Sequence, residues 1–146
     1  MNFSEHEQKG RDKYERNCTI PHEYTKGKYA PWDVSATSDT STFNIEIKDR
    51  DISYLKYASV GFWFEKTKYD PLMEAYRLTG SKPIFLVYLQ DGIGIWWDLS
   101  ELDSSKIKWE KRWATKTTAN GTYGQEKEEK TVMFLFPKYG HKFNYE

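Results

Sequence analysis

A chain of 146 residues suits one domain, 1–146, with a modest core. Lys+Arg and Asp+Glu stand level at 22 each, so net charge offers no nucleic-acid footprint and any such footprint must be a local patch. The single Cys18 excludes an internal disulfide framework, no apolar run approaches the ~20 residues needed to span a bilayer, and the polar start is unlike a signal peptide; a soluble, cytoplasmic protein is expected.

The first expected element is a helix over residues 3–18. Ser4-Glu5-His6-Glu7 has the form of a capping box, with Ser4 as N-cap. Phe3, Gly10, Tyr14 and Cys18 fall on one stripe, and Glu7 sits within it. An inward carboxylate needs a partner, so Glu7 either closes the cap or serves as a functional acid. Residues 17–30, with Pro21 and Gly27, read as turn and loop. A short strand is expected over residues 29–36, followed by a Ser/Thr/Asp connection.

The stretch from Phe43 to Arg50 alternates apolar and polar residues one by one. As a strand it sends Phe43, Ile45 and Ile47 to the core and Asn44, Glu46 and Lys48 to the other, wetter face. Glu46 and Lys48 then stand roughly 6–7 Å apart, close enough to touch one phosphate or one metal-bound water. An acidic-x-basic pair is also commonplace as plain solvated surface. If the strand bearing Asp33 pairs with this one as a hairpin, Asp33 faces the same side as Glu46. Two carboxylates converging beside a Lys suit Mg²⁺, which takes hard oxygen ligands and relieves their mutual repulsion, while the Lys steadies a water or a developing phosphate charge.

Asp33, twelve intervening residues, then Glu46-Ile47-Lys48, after a first helix bearing Glu7, resembles the PD-(D/E)XK nuclease superfamily. Trp32 rather than Pro precedes Asp33, with Pro31 one place earlier. The resemblance implies a restriction-endonuclease-like α/β fold, a central mixed β-sheet flanked by helices, and Mg²⁺-dependent cleavage of DNA, with Mn²⁺ able to substitute. By that likeness Asp33, Glu46 and the carbonyl of Ile47 hold the metal, Lys48 activates water, and Glu7 is the first-helix acid. Chain length and spacing are similar to the Holliday-junction resolvases of that superfamily, which implies a homodimer; a phage or restriction-type endonuclease reads much the same.

Residues 49–57 read as a connection with a helical turn, and residues 58–64 as a buried strand. Lys68, just beyond it, is either an auxiliary phosphate contact or an ordinary surface Lys. Asp70-Pro71 opens a helix that Gly80 ends. Residues 83–90, an Asp91-Gly92 turn and residues 93–99 form a hairpin, whose apolar first strand is covered on both faces. Three scattered His and no Cys cluster leave zinc without ligands, and no phosphate-binding GxxxxGK[ST] loop is present.

Lys106, Lys108, Lys111, Arg112 and Lys116 are interleaved with Trp109 and Trp113. Cations among aromatics suit nucleic-acid backbone and bases; the alternative is tryptophans packed on the sheet with lysines in water. Residues 115–124 read as a loop, 125–130 as a charge run, and 130–136 as a last strand at a sheet edge before Pro137. The reading is a Mg²⁺-dependent DNA endonuclease. Its rivals are a non-catalytic aromatic-rich α/β module binding nucleic acid or protein, and a degraded nuclease that binds DNA without cutting it.

Overall fold

The structure, a computed structural model, describes residues 3–26, 30–58, 61–117 and 123–145, excluding the side chains of residues 3, 4, 57, 115–117 and 123–127. Its elements run α1 (Phe3–Asn17), β1 (His22–Tyr24), β2 (Val34–Thr37), β3 (Thr42–Arg50), α2 (Tyr54–Ala58), β4 (Phe62–Glu65), α3 (Lys66–Thr79), β5 (Lys82–Leu89), β6 (Ile93–Asp98), β7 (Glu110–Thr117), β8 (Tyr123–Leu135) and β9 (His141–Asn144), with short 3-10 turns after β6 and β8. A six-stranded mixed sheet has the order β1-β2-β3-β5-β6-β9, and β4-β8-β7 form a second sheet. β3 and β5 run parallel; the other neighbours in that sheet are antiparallel.

The alternation along β3 sorts its side chains as the period of two requires. Ile45 and Ile47 join Ile84, Leu86 and Tyr88 of β5 in one core, against Tyr14 of α1. α1 lies close enough that a Cβ on Gly10 would stand 3.0 Å from Ile47 Cγ2. The opposite face of β5 presents Phe85, Val87 and Leu89 to Leu72 of α3 and to Phe64 and Met133 of the second sheet. β5 is thus covered on both sides, as its apolar run requires.

Several expectations need correction. The face carrying Asn44 and Glu46 is not wet: Asn44 is 6% and Glu46 4% exposed. In α1, Gly10 and Tyr14 are buried as expected, whereas Glu7 is exposed, and the Ser4 and Phe3 side chains lie outside the described set. The loop over 17–30 contains β1, and the strand bearing Asp33 starts only at Val34. α3 begins at Lys66, directly after β4, so Pro71 lies inside the helix and Asp70 does not cap it. Gly80 does end it, at φ 78° with its N–H on the Tyr76 carbonyl. The charge run lies within β8, the middle strand of its sheet by order, which pairs with β7 up to Val132 and with β4 from Val132 to Leu135. Among the described residues no helix is long and apolar enough to cross a membrane.

Candidate active site

β2 and β3 pair antiparallel with Val34 opposite Ile45, so Asp33 arrives opposite Glu46 just as the ladder stops. Beyond that point the edge of β3 has no strand beside it among the described residues. A buried backbone donor must find an acceptor, and the N–H of Ile47 donates to Asp33 Oδ2 at 2.7 Å. The N–H and C=O of one extended residue point the same way, so the Ile47 carbonyl turns to the same notch. On the neighbouring pair, Trp32 Nε1 donates to Ser35 Oγ (2.9 Å) and Ser35 Oγ to Asn44 Oδ1 (3.0 Å), which fixes the approach of β2.

Glu46 lies in the notch with Lys48 Nζ 3.8 Å from its Oε1 and Lys68 Nζ 3.9 Å from its Oε2. Its Oε2 is buried and accepts no hydrogen bond from the described residues. Burial pushes the Glu46 carboxyl up to about 8; the facing Asp33 pushes the same way, while Lys48 and Lys68 oppose it. Lys68 is steadied by donating to the Ala30 carbonyl at 3.3 Å. It stands in the first turn of α3, not at the end of β4.

Sequence reasoning missed Arg11. Its guanidinium is 3.5 Å from Asp33 Oδ1 and 3.6 Å from Glu7 Oε1, and lies over the Tyr24 ring at 5.2 Å. Among the described residues Glu7 meets the site through this cation, and its side chain is 40% exposed. The available signal was the i,i+4 spacing of Glu7 and Arg11 on one helix face.

The expected DNA-binding cations do not form one patch. Lys111 and Arg112 are neighbours in β7 and so point to opposite faces; Lys111 meets Glu129 at 3.5 Å and Arg112 meets Glu110 at 2.6 Å. Lys106 is 4.0 Å from Asp103. Lys106 and Lys108 border a groove with Trp97, Leu102 and Phe136, whose walls include Asp103 and Glu110 but none of Glu7, Asp33 and Glu46. The Lys116 side chain lies outside the described set. Trp109 packs edge-on to Tyr69 of α3 with Lys66 over its ring, while Trp113 is 65% exposed.

A second group of metal-capable ligands, His6, Asp49 and Asp51, has one atom from each within 4.8 Å of the others. It occupies the α1 face of β3, opposite to Glu46. There the buried Asp49 is engaged by Lys13 at 2.5 Å and His6 at 3.4 Å, and burial, which lowers the Lys13 pKa, is outweighed by its bonds to Asp49 and Tyr145. That arrangement is a compensated ion pair.

No protein-family model matches the chain, and no curated protein does. Among solved structures, the chain is similar to Hjc, a Holliday junction resolvase of the archaeal hyperthermophile Archaeoglobus fulgidus, with a TM-score of 0.50, 10% identity and 92% of each chain covered. The chain therefore has an Hjc-like, restriction-endonuclease-like fold.

Proposed function

We propose that this chain is a divalent-metal-dependent endonuclease that hydrolyses DNA phosphodiester bonds. The observation that carries the reading is the pair of facing carboxyl groups, Asp33 and Glu46, at an open strand edge beside Lys48. Glu46 Oε2 is buried without a hydrogen bond among the described residues, with Lys68 Nζ 3.9 Å away, and a buried carboxylate oxygen so loosely paired is costly unless a closer cation completes it. Asp33, Glu46 and the Ile47 carbonyl are hard oxygen donors of the kind Mg²⁺ and Mn²⁺ take. They would hold the ion, which when bound supplies Lewis-acid stabilisation of the charge building on the phosphate.

The chain's own side chains have separable tasks. Asp33 keeps its orientation because the Ile47 N–H holds one of its oxygens. Lys48, 27% exposed at its side chain, reaches solvent and can orient the attacking water against the phosphate. Lys68, 31% exposed, faces the same carboxylate from the helix side and suits a phosphate oxygen. Glu7 is the first-helix acid of this reading.

Branched DNA is the substrate class we favour, since the similar protein of known structure is described as a Holliday junction resolvase. Fold alone does not decide substrate. Action on two strands of one junction would call for a homodimer.

The test is nicking of supercoiled plasmid with Mg²⁺ or Mn²⁺, followed by a panel of linear, flapped and four-way DNA. Wild type is expected to nick. Glu46→Ala and Lys48→Ala are each expected to lose at least about 100-fold in rate with unchanged circular dichroism. Cleavage surviving in both variants would remove the site. Absence of cleavage by wild type with any substrate and metal, with DNA still bound, would leave a nucleic-acid-binding module.

A further inference from the structure

The ion pairs of the notch are looser than the closest pairs elsewhere among the described residues. Arg11 stands 3.5 and 3.6 Å from Asp33 and Glu7, and Lys48 and Lys68 stand 3.8 and 3.9 Å from Glu46. Elsewhere Lys13–Asp49 and Lys130–Glu65 close to 2.5 Å, and Lys66–Asp70 to 2.7 Å. The first set lies outside charge-assisted hydrogen-bond distance and the second within it. The Nε of Arg11 is buried and has no hydrogen-bond partner among the described residues. The guanidinium is kept in position by the face of Tyr24 instead, a contact that leaves its N–H fork available. Arg11 and Lys68 are 24% and 31% exposed, so both can reach a molecule arriving from solvent.

We propose that Arg11 and Lys68 are cationic stand-ins that oppose metal binding in the free protein and are drawn away by the nucleic-acid backbone, so that metal and DNA bind cooperatively. This rests on the nuclease reading above. A guanidinium and an ammonium beside the metal-binding carboxyls repel a divalent ion and satisfy part of the acids' demand for positive charge. A backbone phosphate offers Arg11 a bidentate partner, better matched than the long contacts it now holds. Moving toward it uncovers Asp33, and the same shift by Lys68 uncovers Glu46 Oε2. Both are positioning residues that set when the site accepts its ion. The coupling is reciprocal: whatever factor DNA adds to metal affinity, metal adds to DNA affinity.

The experiment uses the full chain in two measurements. Mn²⁺ binding to free protein is titrated by paramagnetic resonance for wild type, Arg11→Gln, Lys68→Gln and Asp33→Asn. Binding of a labelled four-way DNA is then followed by anisotropy with and without Ca²⁺. We expect free Arg11→Gln and Lys68→Gln to bind Mn²⁺ roughly tenfold tighter than wild type, and Asp33→Asn to bind it more weakly. Ca²⁺ should raise the DNA affinity of wild type roughly tenfold and that of Arg11→Gln far less. Equal Mn²⁺ affinity in wild type and both cation variants, with no Ca²⁺ effect on DNA, would overturn the coupling. The nuclease reading would survive that outcome if Asp33→Asn still weakened metal. Should no variant bind metal, with or without DNA, the nuclease reading itself falls.

Discussion

A carboxyl group 4% exposed, facing a second carboxyl, holds its proton far longer than one in water. The Glu46 carboxyl is pushed from 4.5 up to about 8, chiefly by burial. In metal-free protein the folded state therefore keeps a proton that the unfolded chain releases, and this contribution to stability is full below about pH 4.5 and lost as pH rises toward 8. The slope approaches roughly 1.4 kcal/mol per pH unit inside that window. Wild type without metal is expected to lose thermal stability between pH 5 and 8 more steeply than Glu46→Gln does, by calorimetry or circular dichroism melts. Equal slopes would place the titration elsewhere. That Asp33, Glu46 and Lys48 come together was approachable from residue type and spacing, whereas Arg11 was not singled out. Nothing in its neighbours along the chain announces that it will meet Asp33.

At the scale of elements, the site depends on how closely α1 approaches β3. Gly10 makes that approach possible, since a Cβ there would already stand 3.0 Å from Ile47 Cγ2. A branched side chain must push the helix off the strand, and overpacking of this kind costs typically 1–3 kcal/mol. Gly10→Val is expected to lower the urea midpoint accordingly. The same displacement carries Glu7 and Arg11 away from Asp33, so on the proposed nuclease reading the variant should lose nicking beyond what its unfolded fraction explains. A Gly10→Val protein as stable and as active as wild type would show that the helix is free to reseat.

Other elements show where local pattern misleads. The alternation in β3 and the Asp91-Gly92 turn, with Gly92 at φ 77°, were readable because strand period and turn chemistry are local. The start of α3 was not, because β4 hands the chain straight into the helix and Pro71 is accommodated inside it despite its missing N–H. The charged residues 125–130 carry no strand signature of their own; they are extended because this part of β8 pairs with β7. Lys111–Glu129 at 3.5 Å is a cross-strand pair that no reading of either segment alone contains.

In the whole molecule, the two sheets share one core. Phe85 lies between them, with its ring centroid 4.7 Å from Phe64 of the second sheet and 5.6 Å from Trp97 of the first. A core that joins both sheets couples their melting. Phe85→Ala should cost about 3–5 kcal/mol. Tryptophan fluorescence and far-ultraviolet dichroism should report a single shifted transition. Separate transitions for the two probes would mean that the sheets fold independently.

Sequence alone determined which side chains of β3 share a face, where the central hairpin turns, and that Asp33 and Glu46 could meet beside a lysine. These follow from the two-residue period and from turn residues, both set within a few positions of chain. Only tertiary structure decided that the Glu46 face lies under α3 and the β4-β8-β7 sheet, that Lys111 and Arg112 of the expected basic patch point to opposite faces of β7, and that Arg11 stands at Asp33. Those outcomes depend on packing between segments remote in the chain, which burial and ladder pairing select across the whole fold.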